Sequence, residues 1–150
     1  MIERLDNNKV VPDAMKALGQ VHAYLLTKTN LPKSLIDLVF LRTSQINGCA
    51  YCIDMHSRDL LKAGFSVDKL LLVATWHEAA YLFDEREQAA LAWAETVTNV
   101  ATTHVPDPDY AAAAAVFDEK DLADLTVAVA LMNAYNRFGV PFRLKPAARA

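Results

Sequence analysis

The chain has 150 residues, 53% of them apolar, and 15 basic against 18 acidic side chains leave a formal charge of −3. That length fits one domain across residues 1–150, large enough to bury about two thirds of its unfolded surface. Without a run of about 18 uncharged apolar residues no membrane span is expected, and scattered Lys and Arg leave no electrostatic footprint for nucleic acid. The polar start, Met1-Ile2-Glu3-Arg4-Leu5-Asp6-Asn7, lacks the apolar core of a signal peptide, so a cytoplasmic location is expected.

Residues 1–11 read as an extended arm. Pro12 suits a first helical position, and Met15, Leu18, Val21 and Leu25 form an apolar stripe that ends near Thr27 to Asn30. A second helix is predicted from about Pro32 to Gln45, with Leu35, Leu38, Val39 and Ile46 on one side and Asn47-Gly48 as its stop. A third starts at about Cys49 and ends at Gly64. Ser66 caps a short helix through Leu70, Leu71 and Val73, and Trp76-His77-Glu78 continue it or begin another turn. Asp84-Glu85-Arg86-Glu87 is close to a capping box and opens a helix through Leu91, Trp93 and Val97. Asp107-Pro108 is an N-cap followed by proline and leads into the alanine-rich stretch 111–115. Asp118 caps the last long helix, carrying Leu122, Leu125, Val129 and Met132, which Gly139 and Pro141 are expected to end. With no β-alternation, repeat or low-complexity linker, the predicted class is all-α.

Chemistry concentrates in Gly48-Cys49-Ala50-Tyr51-Cys52-Ile53-Asp54-Met55-His56. The segment holds both cysteines of the chain, two residues apart, and a histidine four residues after the second. On a helix His56 lies one turn from Cys52 on the same face. The first turn of a helix favours a thiolate over a thiol, through free N–H groups and the macrodipole. This pattern points to a redox dithiol. If helices 32–46 and 49–63 form an antiparallel hairpin, Asp37 lies about 15 Å and His56 about 10 Å from the turn, at 1.5 Å per residue. Carboxylate and imidazole would then meet directly or through one water, giving an Asp37–His56–Cys52 relay.

Other readings stay open on residues alone. Both cysteines would also serve as inert small hydrophobes, and His56 as a satisfied core residue. Cys49, Cys52, His56 and Asp37 have the donor types of a zinc site, although structural zinc sites usually draw two widely separated pairs. No metal and no organic cofactor is expected. His77 reads as a partly exposed helix residue, and His22 and His104, without polar company, as surface residues. Trp76, Tyr81, Phe83 and Trp93 read as core or subunit interface, and Asp54 and Arg58 as a solvated or intersubunit pair. Asn133, Asn136 and Arg137 sit in an apolar helix and need partners, which a subunit contact would supply.

The run from Leu41-Arg42-Thr43-Ser44-Gln45-Ile46-Asn47-Gly48-Cys49 to His56 resembles the core motif of the alkylhydroperoxidase D-like (AhpD-like) branch of the carboxymuconolactone decarboxylase superfamily. Looser likeness extends through Leu60 to Gly64, Glu85 to Glu95 and Asn133 to Arg137, so the resemblance covers about residues 32–138. It implies an all-helical fold, a homotrimer or homohexamer, and thiol-dependent reduction of hydrogen peroxide or organic hydroperoxides. The implied cycle runs between the Cys49–Cys52 dithiol and disulfide, with His56 and Asp37 moving the proton. An external dithiol, lipoyl-type compounds among the candidates, resets the pair. Which sulfur attacks stays open, with a lean to Cys52. The family's glutamate twelve residues before the first cysteine falls on Asp37, one methylene shorter, which leaves space for a water in the relay. That departure keeps a redox-sensing or dithiol-exchange protein in play. Lactone decarboxylation of the superfamily's other type needs no cysteine pair.

Overall fold

The structure, a computed structural model, describes residues 2–148. Among them are helices α1 (Asn7–Val10), α2 (Pro12–Thr27), α3 (Lys33–Asn47), α4 (Ala50–Lys62), α5 (Val67–Leu71), α6 (Glu85–Thr98), α7 (Val100–Thr103), α8 (Asp107–Ala114) and α9 (Glu119–Phe142), with a 3₁₀ segment over Val73–Leu82. No strand occurs among the described residues, and no helix there is long and apolar enough to cross a membrane. The class is all-α.

Helix α3 is the axis of the fold. It packs against α4, α6 and α9 at once, which is why Leu35 through Leu41 are all buried with no polar stripe between them. Ile36, Val39 and Phe40 join Leu125, Val129 and Met132 of α9 in one core cluster. Leu38 and Leu41 face the other way, into a second cluster with Leu60, Val73, Trp76, Phe83 and Leu91. Thr43, Ser44 and Asp37 are the polar residues buried along the same helix.

Local signals place the ends. Gly48 takes the left-handed conformation (φ 71°) that terminates α3 and lets the chain turn back into α4. Ser66, Asp84 and Asp118 each accept a backbone N–H at a helix start, and Asp84 with Glu87 closes a full capping box.

Four local expectations change. The arm is not wholly extended, because Asp6 caps the short α1 by accepting from the Asn8 N–H (3.1 Å). The segment after α5 is a series of 3₁₀ turns broken at Thr75 (φ −124°) and Ala79 (φ −118°), with Val73, Trp76 and Ala79 buried. Helix α8 starts one residue earlier, with Pro106 at the N-cap and Asp107 inside. Helix α9 runs through Gly139 and Pro141 to Phe142. Pro141 sits in the last turn, and the arm caps the orphan carbonyls there: the Arg4 N–H donates to the Phe142 carbonyl (2.9 Å) and the Arg4 guanidinium to the Pro141 carbonyl (3.1 Å).

Candidate functional site

Cys49 is the N-cap of α4, and its Sγ accepts from the Cys52 N–H at 3.4 Å. The two cysteines form a disulfide, with Cα atoms 5.4 Å apart. Both are almost sealed, Cys49 at 1% and Cys52 at 3% exposure. Helix α9 presses bare backbone onto the pair: a Cβ added at Gly139 would lie 2.7 Å from Cys49 Sγ and 3.6 Å from Cys52 Sγ. A glycine in a helix interior costs about 1 kcal/mol relative to alanine, and here the sulfur occupies the space a methyl would need.

One turn further in, His56 packs against the Phe40 ring (centroids 5.0 Å) and directs Nδ1 toward Asp37 Oδ1 at 3.5 Å. That separation is beyond a good hydrogen bond, and both ring nitrogens of His56 are buried without a hydrogen-bond partner. Lys33 donates to the other carboxylate oxygen, Oδ2, at 2.5 Å. Burial pushes the Asp37 carboxyl up, but His56 and Lys33 outweigh it and hold the group below its ordinary value. The hairpin thus brings Asp37, His56 and the cysteines together, with the carboxylate and imidazole in direct juxtaposition.

A cavity of about 250 Å³ opens beside this cluster, with Cys52, His56, His22, Tyr135, Asn7 and Met132 among its lining residues. Cys49 is not part of that wall. A larger cavity of about 450 Å³ is lined by His77, Trp93, Glu95 and Asp109 and holds no sulfur; the smaller one is the reactive candidate because it reaches a cysteine.

Several residues stand elsewhere than expected. His22 is half-buried, edge-on to Phe40 (5.6 Å) and Tyr135 (6.5 Å), rather than on the surface. The packing of α2 on α9 brings it there, and nothing within its own helix reports that. Asn7 is 2% exposed in the cavity wall with its Oδ1 unpaired. The partners of Asn133 and Asn136 come from the same chain: Asn47 Nδ2 donates to Asn133 Oδ1 (3.0 Å) and Asn136 Oδ1 (2.9 Å), and Asn136 Nδ2 donates to Ser44 Oγ (3.0 Å). Arg137 donates to the Asn133 carbonyl at 2.8 Å. Asp54 and Arg58 pair at 2.9 Å, and Asp54 also accepts from the Ala147 N–H. Trp76, Phe83 and Trp93 are core residues, whereas Tyr81 is 84% exposed. His104 is exposed, and His77 lies 3.1 Å from Glu95 Oε2.

Among the described residues, the group with metal-ligand potential in the disulfide form is Asp37, His56 and Asp59, whose ligand atoms lie within 4.8 Å of one another. Lys33 already takes one oxygen of Asp37, and the bonded sulfurs offer no thiolate to the four-residue set Cys49, Cys52, His56 and Asp37.

The family model described as "Carboxymuconolactone decarboxylase family" matches residues 12–96. The chain belongs to the carboxymuconolactone decarboxylase family. Within it, the likeness is to AhpD-type members. A structure of an Agrobacterium tumefaciens protein of unknown function, linked by name to antioxidant defence and AhpD, aligns at TM-score 0.94 with 33% identity, covering 99% of this chain and 100% of that one. The uncharacterized protein YdfG of Bacillus subtilis is 29% identical over 93% of this chain and 94% of its own length. Alkyl hydroperoxide reductase AhpD of Coxiella burnetii is 43% identical over 42 residues, 28% of this chain and 24% of that protein. The debrominase Bmp8 shares the fold of this family member at TM-score 0.79 and 20% identity, over 91% of this chain and 73% of its own.

Proposed function

We propose that the protein is a thiol-dependent peroxidase that reduces hydrogen peroxide or organic hydroperoxides. What carries the reading is one arrangement: a bonded sulfur pair at the mouth of α4, one sulfur on a cavity wall, with a buried imidazole and carboxylate a turn further in. In the reduced protein His56 takes the proton of Cys52, and the helix end favours the resulting thiolate. The thiolate attacks the outer peroxide oxygen, the O–O bond breaks, and the departing alkoxide or hydroxide takes up a proton. Cys52 becomes a sulfenic acid. Cys49 then attacks the Cys52 sulfur and expels water, leaving the disulfide. An external dithiol, of lipoyl type among the candidates, returns two electrons and resets the pair.

Cys52 is the attacking sulfur in this reading because it alone of the two lines the cavity. Asp37 orients His56 and offsets its developing charge. A homotrimer or homohexamer belongs to the same proposal, supported by exposed apolar residues such as Leu71 (72%) and Val67 (59%). A cycling dithiol suits a reducing compartment, so a cytoplasmic location is part of it too.

The test is steady-state consumption of tert-butyl hydroperoxide driven by a small dithiol. Cys49→Ser and Cys52→Ser are each expected to abolish turnover; undiminished turnover in both would overturn the proposal. A redox sensor is the second reading, favoured by the 3.5 Å gap between Asp37 and His56. It predicts one stoichiometric oxidation of the wild-type protein and negligible turnover thereafter.

A further inference from the structure

We propose that His22 is a catalytic residue, donating a hydrogen bond from its neutral imidazole to the leaving oxygen of the peroxide held against Cys52. The inference rests on the peroxidase reading and adds to it a group from outside the CxxC hairpin. His22 and Cys52 line the same cavity, whose 250 Å³ is about eight times the share of one water in the liquid, taken as ~30 Å³. A small organic hydroperoxide lodged there has both residues among its walls. The ring of Phe40 packs against both imidazoles, 5.6 Å from His22 and 5.0 Å from His56.

The two histidines are placed for different tasks. His56 Nδ1 lies 3.5 Å from Asp37 Oδ1, and the residue sits one helical turn from Cys52, where a proton must leave a thiol. His22 makes no hydrogen bond to a described residue, and its ring is set by edge contacts with Phe40 and Tyr135. Burial, then the charges of His56 and Lys33, hold His22 below the ordinary histidine value, with Asp37 opposing. At neutral pH the imidazole is therefore uncharged and keeps one N–H to donate. A neutral imidazole donor stabilises negative charge that develops on oxygen without first having to be protonated.

The step balances without any added reagent. The Cys52 thiolate supplies the electron pair that forms the S–O bond, the O–O bond breaks, and its electrons leave on the alkoxide. The N–H of His22 stabilises that alkoxide until it takes a proton from the imidazolium of His56 or from water.

A leaving-group series in single-turnover oxidation of pre-reduced protein tests this. An alkoxide is a strong base that needs stabilising, whereas acetate leaving from peracetic acid is not. His22→Phe is expected to slow oxidation by tert-butyl hydroperoxide about 100-fold and oxidation by peracetic acid by less than about threefold. His22→Gln, which retains an N–H donor, should recover part of the loss. Equal losses on both oxidants, or no loss on either, would overturn the role of His22 while leaving the peroxidase reading intact. A wild-type protein inert to tert-butyl hydroperoxide would overturn both.

Discussion

Asp37 and Glu95 each hold one cation and one histidine, but their histidines are left in opposite states. At Glu95, Arg42 and the Trp76 indole donate to Oε1 at 2.7 and 2.9 Å, and His77 lies 3.1 Å from Oε2. Both oxygens are used, and the His77 side chain is 64% exposed. At Asp37, Lys33 takes one oxygen, while His56, 2% exposed, has neither nitrogen hydrogen-bonded. A buried polar group without a partner costs about 1–3 kcal/mol. The Glu95 cluster ties α3, α6 and the 3₁₀ segment together and has nothing left to give. The Asp37 cluster keeps an imidazole on the same cavity wall as Cys52 at a cost that no structural bond recovers. The unsatisfied member, not the better-bonded one, is where chemistry should be sought.

The widest gap should appear between the two histidines. His56→Gln is expected to lower the rate of thiol oxidation by peroxide by about 10²–10⁴-fold, the range for loss of a general base. His77→Gln should leave it unchanged. Stopped-flow oxidation of the reduced variants measures both, and a matching loss in His77→Gln would erase the contrast.

Stability should show the reverse order. Glu95→Gln is expected to cost about 1.5–3 kcal/mol in urea unfolding, the range for bonds to charged groups. Burial raises the Glu95 carboxyl, but Trp76, His77 and Arg42 bring it below its ordinary value. A depressed carboxylate stabilises the fold above its unfolded value, and that contribution disappears as pH falls through the folded value. The wild type should therefore lose stability on acidification through the carboxylate range, and Glu95→Gln should lose less. An identical acid slope would show that the cluster is not a clamp.

Gly139→Ala probes the packing around the sulfur pair. Overpacking of this kind costs about 1–3 kcal/mol, set against a gain of up to about 1 kcal/mol in helix propensity. The variant is expected to melt lower when oxidised. Unchanged melting would mean that the sulfur yields freely. The smallest effect should come from Asp84→Ala, about 1 kcal/mol from one lost N-cap, with thiol oxidation untouched.

The comparison also separates what the residues announce from what they do not. Gly48, Ser66, Asp84 and Asp118 act through bonds to neighbours a few positions away, so their roles are visible in a string of letters. The depth match of Asp37 and His56 follows from one short turn and a fixed rise per residue. His22 is different: 30 residues from Cys52, it reaches the cavity only because α2 docks on α9. Asn133 and Asn136 read as orphans because Asn47 and Ser44 lie 86 and 92 positions away. Gly139 and Pro141 read as a stop because their alternative use, a bare approach to sulfur and a helix end held by Arg4, depends on contacts with distant segments.

The sulfur at the N-cap of α4 couples secondary structure to electron count. As a thiolate, Cys49 would offer the first turn a full negative charge for the Cys52 N–H and the helix dipole; as half of a disulfide it offers a neutral and feeble acceptor. Oxidation of a pair carrying its charge on Cys49 therefore withdraws support from the opening turn, and return to that charged form restores it. Amide hydrogen exchange at Cys52 and Ile53 would register the redox state of the pair directly, slower when reduced and faster when oxidised.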